Sequence, residues 1–417
     1  MVAPLSAMAE DGVYQVPNGN FDMDWVSPTE PGNGFHSFDL AIGSYKSQVN
    51  GHTADQVKKV EGRNGTSACM ISSIQFKALN IITVKANGNL TSGVVTANGM
   101  SATAKENHNE SQIKADNQHL KFAGLPDSIS FYTKYQRGES GTYNANANFI
   151  IHGPVNYVDT YQADYDKSNK TNWVSEYLTS ENSVSIPASE DWVRNVAAVA
   201  YKTPTAEYTD RYMLISFTTN PKPGATMNDH LTIDDVEFIY NSRLASVKLG
   251  GVAVDGFDKN IYSYTVDVPY DEFMSVECTT DAKAATVKKI FDSSSNTLTI
   301  VVEGNDISVN PANRHEYVFQ LKAGVEIMKS VEYTDNIISN IGGNITNTED
   351  KVVKIDYYSD NTCGIVLKDL KIGDVNVGNV SIKADYTVDA DSIRFPGESN
   401  VVLGGSYAIG NYIAKKY

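Results

Sequence analysis

Over residues 128–135 the chain alternates with period two: Ile129, Phe131, Thr133 and Tyr135 fall on one side, Ser130, Tyr132 and Lys134 on the other. Side chains at i and i+2 share a face only in an extended strand, so this stretch reads as a strand with one buried and one wetted face. The same period governs residues 143–151, where Tyr143, Ala145, Ala147, Phe149 and Ile151 oppose Asn144, Asn146, Asn148 and Ile150. Further strands are expected over 212–217, 263–268, 297–302, 317–321, 352–357 and 364–367, separated by clusters of Gly, Pro, Asn and Asp. Helical spacing is almost absent; residues 189–200 are the one stretch that reads as a helix. Short strands with turn-rich connections define an all-β chain of sandwiches or barrels.

The stretch LTIDDVEFIYN, residues 231–241, breaks its own alternation: Leu231 and Ile233 give way to Val236, Phe238 and Tyr240, so the inward phase slips at Asp234 and Asp235. A strand absorbs such a slip with a bulge or a break in pairing. After Tyr240 a new set of strands opens in LASVKLGGVAVDGFDKNIYSYTVDVP, and another follows EYVFQLKAG. With 417 residues and about 150 per domain, three domains are expected. Their bounds are 15–241, 242–325 and 326–417, preceded at 1–14 by a signal remnant or a disordered start.

Charge narrows the partners. Lys and Arg number 34 against 50 Asp and Glu, a formal net of −16, and no basic cluster offsets it, so nucleic acid is an unsuitable partner. No run reaches the roughly 20 apolar residues of a membrane span. The three cysteines, Cys69, Cys278 and Cys363, are too widely spaced for a metal or redox motif and read as small buried residues. The small-residue run around Ala7 and Ala9 is consistent with an export signal, which puts the expected location outside the cell, at its surface or in the periplasm.

The segments VPNGNFDMDW, FYTKYQRG, RYMLISFTTNPKPG and LTIDDVEFIY form a frame across residues 15–241. It resembles jelly-roll carbohydrate-binding modules, and more closely the carbohydrate-metabolism domain of secreted proteins of gut Bacteroidota. Residues 244–323, with VKLGGVAVDGFDKNIYSYTVDVP, resemble immunoglobulin-like or cadherin-like β-sandwich modules. Residues 327–417, with GIVLKDLKIGDVNVGNVSI, resemble a calycin-like barrel that stops before it could close. The resemblance implies a jelly-roll β-sandwich, an Ig-like β-sandwich and a small, partial calycin-like β-barrel.

In a jelly roll the first and last strands lie close, which would bring Asp22 and Asp24 toward Asp234 and Asp235. Clustered carboxylates repel unless a proton or cation intervenes, and related sugar-binding modules carry a structural calcium at the corresponding edge, so one Ca2+ held by Asp22, Asp234 and Asp235 is an expectation. The family places Glu where this chain has Asp22. The alternative is that Asp234 and Asp235 cap backbone amides at the bulge.

A second constellation is the polar face of the two alternating runs. Read as a hairpin closed by QRGESGT, they set Tyr132 opposite Asn146 and Lys134 opposite Asn144. Sugars stack their C–H faces on aromatic rings while amides and ammonium groups meet their hydroxyls. Tyr132, Lys134, Asn144, Asn146 and Asn148 are therefore glycan-binding candidates, although such residues also serve solubility on any exposed strand. Trp173, in the hydrophilic loop DKSNKTNW, is the best further platform, with Tyr161 and Tyr165 as a rim; Trp25 reads as sandwich edge and Trp192 as core.

No HExxH, GxSxG, Walker loop or GxGxxG occurs, and the lone SxxK at Ser111 lacks its companions. Among 50 acidic residues almost any pair could be nominated for glycosidase work, so that signal carries nothing. The expected function is non-catalytic binding of a polysaccharide or oligosaccharide by the first domain, with a surface-protein partner for the C-terminal domain. A divergent glycoside hydrolase and an adhesive or structural protein without sugar affinity are the two rivals.

Overall fold

The computed structural model describes residues 12–23, 25–32, 34–49, 56–104, 106–138, 142–154, 156–159, 183–199, 201, 210–222, 224, 226–324, 327–341, 344–372, 375–389, 392–394 and 400–403. The fold is all-β, as the alternation predicts. Two compact units divide the chain: Met1–Asn241 with Ala282–Ala285 and Gly304–Asn313, and Ser242–Asp281 with Thr286–Glu303 and Arg314–Tyr417. Among the described residues no helix is long and apolar enough to cross a membrane.

The first unit is a sandwich of two five-stranded antiparallel sheets. Strands are numbered in chain order. Sheet I has the order β1 (Val57–Glu61), β2 (Ser67–Ser72), β15 (His230–Ile239), β9 (Ser128–Gln136), β13 (Ser189–Ala198). Sheet II runs β12 (Ser183–Ile186), β10 (Ala145–His152), β14 (Arg211–Thr218), β5 (Asn89–Thr91), with β8 (Lys121–Phe122) also on β14. The inward residues of β9 meet those of sheet II: the Phe131 ring lies 5.3 Å from Phe149 and 5.4 Å from Phe217, centroid to centroid. All three are fully buried, and each such ring contributes on the order of 2–3 kcal/mol of hydrophobic stabilisation.

Two smaller sheets flank sheet II. One is the hairpin of β3 (Ile74–Ala78) and β4 (Ile82–Ala86); the other joins β6 (Val94–Ala97), β7 (Asn107–Ser111) and β11 (Tyr157–Val158). At the hairpin tip Ala78 pairs with Ile82 across Leu79, Asn80 and Ile81; Leu79 and Asn80 both have positive φ, 51° and 59°, and Ile81 N donates to Ala78 O at 3.2 Å.

The phase slip in β15 is a bulge. Asp234 pairs with Tyr132 and Glu237 with Ser130, so Asp235 and Val236 together oppose Phe131, and Asp235 takes a φ of 47°. The strand opens there to receive the start of the chain: Val236 N donates to Gly19 O at 2.8 Å, and Phe238 N donates to the Gln15 side chain at 2.8 Å. Val236 O stands so close to Gly19 that no Cβ would fit at that residue.

Two local expectations are corrected. β9 and β10 do not form a hairpin; the segment between them crosses from sheet I to sheet II, and the neighbours of β9 are β15 and β13. Residues 189–198 are β13, not a helix: Val196, Ala197 and Ala198 pair with Ser130, Ile129 and Ser128 of β9. Ladder hydrogen bonds to a strand already in place override a weak local preference for helix.

In the second unit, β16 (Leu244–Leu249) pairs with β17 (Val252–Ala253) and β19 (Val276–Thr280). A second sheet has the order β18 (Ser263–Pro269), β22 (Arg314–Lys322), β21 (Thr297–Glu303), β20 (Thr286–Asp292), with β18 parallel to β22. The C-terminal part is one antiparallel sheet of β23 (Ile327–Ile341), β24 (Asn344–Tyr358), β25 (Thr362–Ile372), β26 (Val375–Asp385) and β29 (Asn400–Leu403), beside the small hairpin of β27 (Thr387–Asp389) and β28 (Ser392–Arg394). Among the described residues that sheet does not close into a barrel.

Candidate functional site

The outward face of sheet II is polar by register. Reading across β5, β14, β10 and β12, one rung holds Asn89, Thr218, Asn146 and Ser185, and the next holds Thr91, Ser216, Asn148 and Ser183. Their neighbours along each strand, Leu90, Phe217, Ala147 and Val184, turn into the sandwich core. Period-two alternation in four adjacent strands thus lays amides and hydroxyls side by side as a floor.

Above this floor lies a cavity of about 410 Å³. One wall is the β3–β4 hairpin, where Phe76 pairs with Val84 and both line the space with Ala78 and Ala86. The opposite wall combines Val95 and Ala97 of β6 with Phe38 and Tyr45, which pack together as a small apolar cluster. Asn107, His108 and Asn109 of β7 complete it, and Met100 stands exposed on the rim. The space is therefore amphipathic, with side-chain amides below and aromatic and aliphatic surface at the sides. Its volume falls within the range of small-molecule sites.

The floor is held in place by its own hydrogen bonds. Asn89 Nδ2 donates to Asn109 Oδ1 at 2.7 Å, and Asn109 Nδ2 donates to Asp159 Oδ2 at 2.7 Å. Asp159 Oδ1 also accepts from Asn109 N at 3.0 Å. Asn146 Nδ2 donates to Asn148 Oδ1 at 2.9 Å and accepts at its own oxygen from Ser183 Oγ at 3.1 Å. Among the described residues, Asn148 Nδ2 and Ser216 Oγ have no protein partner of their own, and both face the cavity from paired positions. They are the polar groups that a ligand can engage without breaking an existing bond.

The six glycan-binding candidates separate. Asn146 and Asn148 line the cavity. Asn144 is not among the lining residues; it is held by Arg137 and by a bond to Ser185 Oγ at 2.9 Å. Tyr132 and Lys134 are on the outer face of sheet I, on the other side of the sandwich, because β9 and β10 belong to different sheets. Trp173, with Tyr161 and Tyr165, lies outside the described residues. Trp192 is half-buried rather than core, with Lys134 Nζ 5.1 Å from its ring centroid. Trp25 packs at the sandwich edge as expected, its indole N–H donating to Phe21 O at 3.2 Å.

Asp22, Asp234 and Asp235 do gather, around the turn at residues 62–67. Asp234 Oδ2 accepts from Arg63 N at 2.8 Å and its Oδ1 from Asp235 N at 2.8 Å. Asp235 pairs with the Arg63 guanidinium at 2.5 Å, and Asp22 Oδ1 accepts from Ser67 N at 2.8 Å. Burial lifts the Asp234 carboxyl to about 6, with the Arg63 amide opposing and the charges of Asp235 and Asp22 adding. Backbone amides and a guanidinium thus occupy the positions a cation would neutralise. Among the described residues no group of three or more Asp, Glu, His or Cys side chains is placed to hold a metal ion; Asp24 lies outside them. In this arrangement Asp234 and Asp22 cap amides of the bulge and its neighbouring turn, and Asp235 pairs with Arg63.

The residues that sequence reasoning missed are Phe76, Phe38, Tyr45, Asn89, Asn109, Ser216 and Thr218. For the last two a signal existed, since Ser216 and Thr218 are the polar phase of β14. The walls come from segments whose relation to sheet II is tertiary, and nothing local marks them.

No family model matches the chain. No curated protein matches it either. Among solved structures, a carbohydrate-binding module specific for non-crystalline cellulose (CBM28) is similar at 11% identity and a TM-score of 0.20, over 44% of this chain and 80% of that one. A likeness of that depth bears on neither ligand nor activity.

Proposed function

We propose that the first unit binds a polysaccharide or oligosaccharide without cleaving it, as part of an exported, surface-associated chain. The observation that carries this is the amphipathic cavity: two rungs of amides and hydroxyls beneath walls bearing Phe76, Phe38 and Tyr45. A sugar ring has the matching division, an apolar C–H face for the aromatic surface and a hydroxyl edge for the amides. Catalysis has less support. Glycoside hydrolysis uses two carboxyl groups about 5–10 Å apart. Among the described lining residues Asp159 is the single carboxylate, and both its oxygens accept from Asn109. In this reading the second unit serves as spacer or docking module.

The test is affinity electrophoresis of the full chain through gels containing soluble polysaccharides. At least one polymer should retard it, and Asn148→Ala should weaken that retardation about tenfold, the value of one or two lost hydrogen bonds to ligand. Retardation by no polymer overturns the binding reading, and steady release of reducing ends overturns the non-catalytic one.

A further inference from the structure

We infer that the cavity selects an uncharged sugar chain and rejects uronates and sulfated sugars. This rests on the carbohydrate-binding reading and adds the class of ligand to it.

The inference comes from what lines the space. Among the described lining residues there is no lysine or arginine, and the one formal charge is the carboxylate of Asp159. A second carboxylate stands just behind the wall: Glu110 Oε2 accepts from Thr96 Oγ1 at 3.2 Å and from Gln112 Nε2 at 3.2 Å, and lies 3.9 Å from His108 Nε2. Burial works against the Glu110 charge, yet the bonds from His108, Gln112 and Thr96 outweigh it and hold the group below the usual carboxylate range. Glu110 is therefore ionised at neutral pH, and among the described lining residues no lysine or arginine offsets the carboxylates.

An anionic sugar entering there would lose its hydration without gaining a cation, and would meet like charge. Recognition of carboxylate or sulfate normally employs Arg or Lys, in Arg's case through a bidentate fork. The two unengaged floor groups are neutral instead: Asn148 Nδ2 can donate to a sugar oxygen, and Ser216 Oγ can donate or accept. Ser216 is 3% exposed, so a charged ligand reaching it would be almost fully desolvated. Hydroxyl groups exchange water for amide contacts at little loss; a bare carboxylate does not.

The whole chain carries a net of −16, so distant repulsion must be separated from local selection. Biolayer interferometry of the full chain against an immobilised neutral glucan, xylan and galactomannan, and against polygalacturonate and dextran sulfate, does this when run at low salt and again at about 1 M NaCl, where the Debye length falls to about 3 Å. The expected result is a neutral polymer bound at least tenfold more tightly than either anionic one at both salt concentrations. An anionic polymer bound as tightly as the best neutral one, at either concentration, overturns the charge inference and leaves the carbohydrate-binding reading standing. Binding to none of the five overturns both.

Discussion

The guanidinium carbon of Arg63 lies over the ring of Tyr132, 3.3 Å from its centroid, while the same side chain pairs with Asp235 and its backbone N–H donates to Asp234. One residue thus ties the turn after β1 to the bulge in β15 and to the strand beside it. Arg63→Ala removes the ring contact and the ion pair together and should destabilise the fold by about 1–2 kcal/mol. Arg63→Lys should recover only part of this, because a point charge cannot both cover a ring and meet a carboxylate edge-on. Urea unfolding of both variants measures the difference.

Asp234 makes the bulge sensitive to pH. Its folded value of about 6 lies above the ordinary 3.8, so between those limits the folded state holds a proton that the unfolded chain has released. Stability from this group therefore falls as pH rises through the window, and the penalty is complete above about 6. The effect should be about 1 kcal/mol, below the full linkage value because the neighbouring Asp235 side chain is 34% exposed and water screens the site. Asp234→Asn should show a flatter stability profile between about pH 4 and pH 7 than the parent chain. An identical slope in the two proteins counts against the raised carboxyl.

Binding should follow the sheets rather than the strand pattern. Phe76→Ala removes an aromatic wall and should weaken polysaccharide binding about tenfold, or 1–2 kcal/mol, with little change in unfolding midpoint. Tyr132→Ala and Lys134→Ala alter only the far face, so their affinity should equal that of the parent within a factor of about two. Titration calorimetry with whichever polymer binds the parent settles the ordering.

Leu79 is a branched residue at a φ of 51°, and half of its side chain is exposed. Asparagine tolerates that backbone region far better than leucine does, and it already occupies the next position of the turn. Leu79→Asn should raise stability by about 0.5–1 kcal/mol in thermal or urea unfolding. A loss of stability would mean that the tip gains more from its leucine than the backbone loses.

Much of the architecture was legible because alternation is a local property. The faces of β9 and β10 were read correctly, Ile129 and Phe149 inward, Tyr132 and Asn146 outward. The slip at Asp234 and Asp235 also announced its bulge. Partnership was not legible. A connection of this length between β9 and β10 can close a hairpin or arch between sheets, and both choices keep the same residues wet. This ambiguity put Tyr132 and Asn146 on one imagined surface when the molecule has them on two. Residues 189–198 misled for a related reason, since Val196, Ala197 and Ala198 satisfy either period until β9 supplies a ladder for them.

The cavity itself was the least readable part. Asn146 and Asn148 could be nominated as exposed amides, but the flanking β3–β4 hairpin, the β6–β7 strands and the segment bearing Phe38 and Tyr45 turn a flat polar face into an enclosure. Among the described residues seven asparagines line it, at 87, 89, 107, 109, 146, 148 and 220, drawn from segments spread over more than a hundred residues of chain. No window short enough to scan by eye holds them together.

The passage of the chain from one sheet to the other between β9 and β10 has a practical side. Gln136, exposed at the end of β9, offers an anchoring point on the sheet remote from the cavity mouth. Cys69 and Cys363 are buried, so a thiol introduced there would compete mainly with the half-shielded Cys278. A chain tethered to a sensor chip through that handle would present its open enclosure to the solution.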